Sequence, residues 1–310
     1  MNKPTLQALT AEIEGTPLAE ELEVVRACAR SVRCDVYLVG GLVRDLLAGR
    51  RSTDIDLVTT GDVEVLSGCL AERLGVVFTT YPVFRTAKIF TPAGFRLDLV
   101  GSRAEEYLFP GSLPSTRPGS LFEDLARRDF TVNTMAVSLV EPGAELIDPH
   151  RGRLDLEAGL LRVLHSASFR DDPTRVLRGV RFSSELGLMF EKRTRELACE
   201  QETLAALGKV SGFRIWRELE MALRGGETAR AAVSLLRDLG LEKGLHSALA
   251  ADDDVLDRLA AADAASPAMC LAIWAEELDR GAKSELGDRL ALSRSDRKVL
   301  LAGADTGAGR

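Results

Sequence analysis

Residues 36–58 read VYLVGGLVRDLLAGRRSTDIDLV, and this stretch decides the fold. A run of β-branched and aliphatic residues ends in Gly40-Gly41, and the residues after it, Leu42 to Leu47, have helical spacing. Glycines at such a junction let backbone amides approach an anion, and the helix N-terminus favours a phosphate there. Arg44, one turn inside, is placed to fork onto the same phosphate. Asp54 and Asp56 follow on a second β-like run. Their spacing of two puts both carboxylates on one strand face, where they suit Mg2+ with positions left open for phosphate oxygens. Each piece alone has a plainer reading, a tight turn or a solvated strand face. Joined within 17 residues, they point to nucleotide chemistry.

Outward from this stretch, DVYLVG (35–40), DIDLVTT (54–60), TAKIFT (86–91), FRLDLVG (95–101) and TMAVSLV (134–140) read as strands, and 62–74 as a helix. Residues 102–121 hold three prolines among glycines and serines, which predicts a long irregular surface loop. From about Leu154 onward the periodicity is helical throughout. The expected fold class is α+β: an N-terminal mixed α/β head followed by an all-helical neck and body. The segments are expected at 1–34 (helical), 35–150 (head), 151–225 (neck) and 226–310 (body), the last ending in a flexible tail near 302–310.

A chain of 310 residues exceeds one ordinary core. With 45% hydrophobic residues and no apolar run of about 18, a globular, soluble, cytoplasmic protein is expected, with neither a membrane span nor a secretory signal. The five cysteines (Cys28, Cys34, Cys69, Cys199, Cys270) are scattered without a zinc or disulfide spacing and are read as reduced. A net charge of −7 argues at first against a polyanionic partner, but the placement of arginines matters more than the sum.

Two further constellations place arginines. The first is DLARRDFTVN, 124–133, with Arg127, Arg128 and Asp129; alone, it reads equally as a salt-bridged surface. The second is DDPTRVLRGVRF, 171–182, in which Pro173 marks a helix start with Asp171 or Asp172 in the capping region. Asp172 and Arg175 share a helix face, whereas Arg181 points nearly opposite to Asp172. A capped amphipathic helix with a solvated arginine face is the plainer reading. Asp98 is a further candidate carboxylate, with a strand-end surface aspartate as its alternative, and His150, His165 and His246 receive no role.

These three motifs, in this order, resemble the class II tRNA nucleotidyltransferase and bacterial poly(A) polymerase family of the polymerase β superfamily, over roughly residues 35–225. The resemblance implies that Asp54 and Asp56 hold two Mg2+ ions, with Asp98 as a further ligand, and that Gly41 and Arg44 contact the incoming nucleotide, Gly40 supporting them. It implies that Arg128 binds nucleotide phosphate and ribose, with Asp129 organising the site and Arg127 assisting. It implies that Asp172 and Arg175 imitate a template base, that Arg178 and Arg181 continue the nucleotide-binding series, and that Asp171 supports it. The sequence departs from the family pattern at Thr134, where alanine is usual, at Asp171, where glutamate is, and at Gly212-Phe213 in SGFRIWREL (211–219), read as a packing helix with Trp216 in the core. The implied reaction is template-independent addition of CMP and AMP, or AMP alone, from CTP and ATP to a tRNA 3′ end. The long loop resembles one that CC-adding members lack, and the C-terminal RNA-gripping region is expected to be reduced. Poly(A) synthesis, a non-catalytic RNA-binding relative and a small-molecule nucleotidyltransferase are the alternatives. Oligomeric state is not set by the sequence.

Overall fold

The computed structural model describes residues 15–108, 111–112, 114–141 and 143–303. Residues 1–14 of the expected N-terminal segment and 304–310 of the expected tail lie outside the described residues. The chain divides into two compact units, one of residues 1–106 and 114–158, the other of 107–113 and 159–310.

The first unit is built on one sheet. Its strands are β1 (Val36–Val39), β2 (Asp54–Thr59), β3 (Phe78–Tyr81), β4 (Thr86–Phe90), β5 (Arg96–Gly101) and, after a two-stranded pair, β8 (Ala136–Ser138), in the order β3-β4-β5-β2-β1-β8. Only β2 and β5 run parallel, with Ile55 opposite Leu97 and Asp56 opposite Asp98. Helices α1 (Pro17–Ser31) and α3 (Val63–Leu74) supply Leu22, Val25, Leu66 and Leu70 to a core with Ile55, Leu57, Leu97 and Leu99. Ile55, Leu57, Leu97 and Leu99 thus enter this core, while Asp54, Asp56 and Asp98 point to the opposite face, where Val58 joins a second cluster with Val39, Leu121, Leu125 and Ala136. Helix α2 (Gly41–Leu47) follows β1 directly. Asp62 caps α3 by accepting from the Glu64 and Val65 amides, and Gly75, at φ +66°, ends it. The strand β3 was not foreseen, because FTTY lacks the aliphatic alternation that marked the others.

Residues 102–120 are not wholly irregular. Here β6 (Arg103–Glu106) pairs antiparallel with β7 (Ser115–Pro118), Arg103 opposite Pro118. Ser102 and Gly119 close the pair, the Gly119 amide donating to the Ser102 carbonyl and Ser102 Oγ to the Gly119 carbonyl. Proline is tolerated because a two-stranded ribbon leaves an outer edge that needs no N–H donor. Residues 109, 110 and 113 of the expected loop lie outside the described residues. After it, Ser120 and Glu123 form a capping box on α4 (Leu121–Ala126). The unit ends with α5 (Gly152–Glu157).

In the second unit, Gly159 (φ +68°) stops the helical pattern, so that Leu160–Leu161 forms β9, parallel to β10 (Met189–Phe190), where continuous helix had been expected. Otherwise it is helical: α6 (Ser168–Asp171), α7 (Thr174–Leu186), α8 (Lys192–Ala198), α9 (Gln201–Lys209), α10 (Gly212–Ala222), α11 (Gly226–Asp238), α12 (Glu242–Leu245), α13 (Asp253–Ala261), α14 (Pro267–Trp274), α15 (Arg280–Arg289) and α16 (Arg294–Ala302). Helix α7 packs against α10 and α11 through Val176, Leu177 and Val180 on one side and Ile215, Leu219, Ala229 and Val233 on the other. Trp216 and Trp274 are buried. Gly212 has a packing reason: a Cβ there would stand 2.1 Å from the Arg289 carbonyl oxygen. The mixed α/β head followed by helices is the expected α+β class. No described helix is long and apolar enough to cross a membrane, and the five cysteines are free.

Candidate functional site: a carboxylate cradle in the head and an acid–arginine cluster on a helix

Gly40 has φ +66° and ψ −128°, a region that residues with a Cβ rarely enter. It is also crowded: a Cβ on Gly40 would lie 2.6 Å from Arg128 Nη1 and 3.6 Å from Asp56 Oδ2. A Cβ on Gly41 would lie 3.6 Å from Asp56 Oδ2 and 3.7 Å from Arg44 Nη2. The strand-to-helix turn therefore runs directly under Asp56, with Arg128 and Arg44 at its sides.

Asp54 and Asp56 share the sheet face with Asp98, which the parallel register sets beside Asp56. Arg96 bridges two of the three, its Nη2 lying 3.1 Å from Asp54 Oδ2 and its Nε 3.2 Å from Asp98 Oδ2. Burial pushes the Asp56 carboxyl above the ordinary aspartate range; Arg128 opposes this, while the Asp98 and Asp54 charges add to it. Of the buried side-chain polar atoms without a hydrogen-bond partner among the described residues, two belong to this cradle, Asp98 Oδ1 and Arg128 Nε. No group of three or more His, Cys, Asp or Glu is gathered tightly enough among the described residues to define a cation site by itself. Mg2+ commonly takes only one or two carboxylates and fills its remaining positions with water and phosphate oxygens. The desolvated Asp56, with Asp98 Oδ1 unpaired beside it, fits that donor set.

Behind the cradle lies a connected polar network. Arg44 is buried, and its Nη1 donates to Asn133 Oδ1 at 2.8 Å while its Nε donates to Asp45 at 2.9 Å. Asn133 Nδ2 donates to Asp129 Oδ1 at 2.9 Å, and the same oxygen accepts from the Phe130 amide at 2.8 Å. Thr134, the departure from the family pattern, donates its hydroxyl to the Thr131 carbonyl at 2.7 Å and closes the turn that carries Asn133. Fully buried Asp124 receives both Arg127 and Arg128. Asn133, Asp124 and Arg96 were not singled out from the sequence. Arg96 had a signal, standing two residues before Asp98 and so on the same face; Asn133 and Asp124 reveal their partners only in three dimensions.

In the second unit Asp172 precedes α7 and accepts at Oδ1 from the Thr174 amide and hydroxyl. Arg214 Nη2 reaches the same oxygen at 2.8 Å. Arg175 is 5% exposed; its Nη1 donates to Ser168 Oγ at 2.9 Å, and its guanidinium lies 5.8 Å from the Tyr107 ring centre. Asp171 Oδ2 is 3.9 Å from His165 Nδ1. Burial lowers the His165 pKa, Asp171 pulling the other way. Arg178 and Arg181 do not stand free along the helix: both approach Glu218 of α10, at 3.6 and 3.4 Å, and both lie over the Phe182 ring. Arg214 and Glu218 lie in the stretch that the sequence assigned to packing alone.

A sheet carrying paired carboxylates, beneath a glycine turn flanked by arginines, defines a nucleotidyltransferase type of head. Comparison with known proteins agrees: residues 36–162 match the family model of the poly A polymerase head domain. The chain is 43% identical over 221 residues to the A-adding tRNA nucleotidyltransferase of Halalkalibacterium halodurans, covering 70% of this chain and 51% of that protein. It is 38% identical over 200 residues to the CC-adding tRNA nucleotidyltransferase of Deinococcus radiodurans, covering 63% of this chain and 52% of that one. Among solved structures, an apo form of a CCA-adding enzyme superposes with a TM-score of 0.82 at 27% identity, over 96% of this chain and 73% of that chain. Residues 36–162 are therefore a head domain of the poly A polymerase family, and the chain is similar to class II tRNA nucleotidyltransferases beyond it. It spans about half the length of the curated relatives it matches.

Proposed function

We propose that the chain is a template-independent nucleotidyltransferase that extends the 3′ end of tRNA with AMP from ATP, or with CMP and AMP from CTP and ATP, releasing diphosphate. The observation that carries this reading is the pair of buried, unpartnered atoms on either side of Asp56, Asp98 Oδ1 and Arg128 Nε. One calls for a cation and the other for an anion, and a metal-bound triphosphate supplies both. Asp54, Asp56 and Asp98 would hold Mg2+, which supplies activation of the RNA 3′-hydroxyl and neutralisation of phosphate charge. Gly40 and Gly41, lacking side chains, leave their backbone open to approach beside it, Arg128 takes phosphate and ribose, and Arg44, through Asn133, keeps Asp129 in place. Asp172 and Arg175 are assigned to the base edge, since a carboxylate and a guanidinium present complementary acceptors and donors. Arg178 and Arg181, engaged by Glu218, are assigned to holding α7 in position.

Addition of A is favoured over addition of CC alone, because the A-adding relative is the more similar of the two named above. With tRNA as substrate, the cytoplasm is the proposed compartment. The test incubates the full chain with tRNAs ending before, within and after CC, with CTP and ATP singly and together, and sequences the products. Extension of the CC-ending tRNA by one A supports terminal adenylation; extension of the tRNA lacking CC supports full CCA synthesis. Long homopolymer tails would move the assignment to poly(A) synthesis, and absence of any product would overturn it.

A further inference from the structure

We propose that Glu105 is a positioning residue for nucleotide binding that acts on Arg128 through Arg127 and Asp124; this deepens, and rests on, the reading of Arg128 as a nucleotide ligand. Asp124 has one negative charge and receives two guanidinium groups. Its Oδ1 accepts from Arg127 Nε at 2.9 Å and Nη2 at 2.6 Å, and its Oδ2 from Arg128 Nη2 at 3.1 Å. The carboxylate is fully buried, so bulk solvent does not screen this load. A second acid balances it: Glu105 Oε1 accepts from Arg127 Nη1 at 2.9 Å, and Arg103 Nη2 lies 2.9 Å from the same oxygen. Charges therefore alternate along Arg103, Glu105, Arg127, Asp124 and Arg128.

The alternation has a directional consequence. Arginine presents a rigid planar fork, so a guanidinium held at one edge by Glu105 keeps its other edge on Asp124 Oδ1 and leaves Oδ2 to Arg128. In a low-dielectric interior, successive links polarise one another. Without the Glu105 charge, Arg127 and Arg128 compete for one buried carboxylate, and Arg128 loses the contact that holds its guanidinium beside the Gly40 turn. An exposed surface pair would do little of this. The Glu105 side chain is only 6% exposed, because β6 turns it inward while its neighbour Glu106 faces solvent.

The test uses the full chain with Glu105→Gln, Arg128→Ala and the double substitution. Two readouts are taken: equilibrium titration with ATP and with CTP in the absence of RNA, and KM and kcat for single-nucleotide incorporation on tRNA. Glu105→Gln is expected to weaken binding of both nucleotides alike, by about three- to tenfold, and to raise KM with kcat nearly unchanged. In the double variant the loss should not exceed that of Arg128→Ala alone. A merely structural role would instead give independent, multiplying losses, or a fall in kcat at constant KM, and either result overturns the proposal. If Glu105→Gln fails to fold, Arg127→Lys breaks the same fork with the charge kept, and the same non-additivity with Arg128→Ala is expected. Wild-type protein that neither binds nucleotide nor extends tRNA would overturn the functional reading and the proposal together. Wild-type protein that does both, with Glu105→Gln indistinguishable from it, would overturn the positioning role alone.

Discussion

Arg214 Nη2 meets Asp172 Oδ1 at 2.8 Å, so a residue 42 positions downstream fixes the orientation of a carboxylate at the start of α7. A group that reads a base edge selects by its hydrogen-bond pattern, whereas a group on phosphate helps every nucleotide alike. Asp172→Ala and Arg175→Ala should change the ratio of CTP to ATP use in kcat/KM by about tenfold or more, given the 1–3 kcal/mol carried by a good bidentate base contact. Arg214→Ala should shift the ratio in the same direction by a smaller factor, and Arg128→Ala should lower all nucleotides in proportion. Single-nucleotide incorporation under subsaturating conditions measures this. Equal loss of all nucleotides in the Asp172, Arg175 and Arg214 variants would leave that cluster without a reading role.

The Asp98 and Asp54 charges act against ionisation of Asp56, and on the proposed reading a cation would relieve that repulsion. Asp54→Ala, Asp56→Ala and Asp98→Asn should therefore keep or slightly raise thermal stability while losing nucleotide addition. A hundredfold fall in turnover at saturating Mg2+, about 2.7 kcal/mol, is expected for each. Melting curves beside turnover measurements test both halves; full turnover in Asp98→Asn would remove that residue from the metal set.

Gly40 is constrained twice, by its positive φ and by the Arg128 guanidinium within 2.6 Å of its missing Cβ. Gly40→Ala should destabilise the head by about 1–3 kcal/mol from backbone strain and also push Arg128 aside. Denaturant unfolding gives the first effect and the nucleotide KM the second. Gly49→Ala is the comparison, since its φ is also positive at +64° but nothing lies within 4 Å of its Cβ position. It should show strain without the KM effect.

In the second unit Glu242 is buried, its Oε1 accepting from Trp274 Nε1 and from the Ala251 amide, both at 2.8 Å. Burial raises its pKa, with Trp274, Ala251 and Arg237 opposing. A raised carboxyl pKa makes its contribution to stability fully present below the ordinary glutamate range, about pH 4, and lost as pH rises through the folded-state value. Glu242→Gln removes that titration, so the stability of the variant relative to wild type should improve as pH rises above about pH 4 and level off once pH passes the folded-state value. Unfolding followed by indole fluorescence across that range checks it; a constant difference would show that ionisation of Glu242 is not the cause.

The strands 36–39, 54–59, 86–90 and 96–101 were legible in the sequence as short runs rich in β-branched and aliphatic residues, and the alternation at the start of 54–59 also put Asp54 and Asp56 on one face. Helix α7 was legible from Pro173 and its caps for the same local reason. The β6–β7 ribbon was not, because its stability comes from pairing Arg103 with Pro118 and from the Ser102–Gly119 closure, neither of which has a local signature.

What the sequence determined by itself is whatever short-range periodicity and turn chemistry dictate: a mixed α/β head, a helical remainder, the glycine turn and the carboxylate pair. Tertiary structure alone decided which groups those elements meet. Asp98 became a neighbour of Asp56 only through the parallel register of β2 and β5, and Asp124 became the shared anchor of two arginines only on burial. Arg214 came to Asp172 only because α10 packs on α7. Charge pairing acts over a few ångströms of space, whatever the separation along the chain, and no local pattern encodes it.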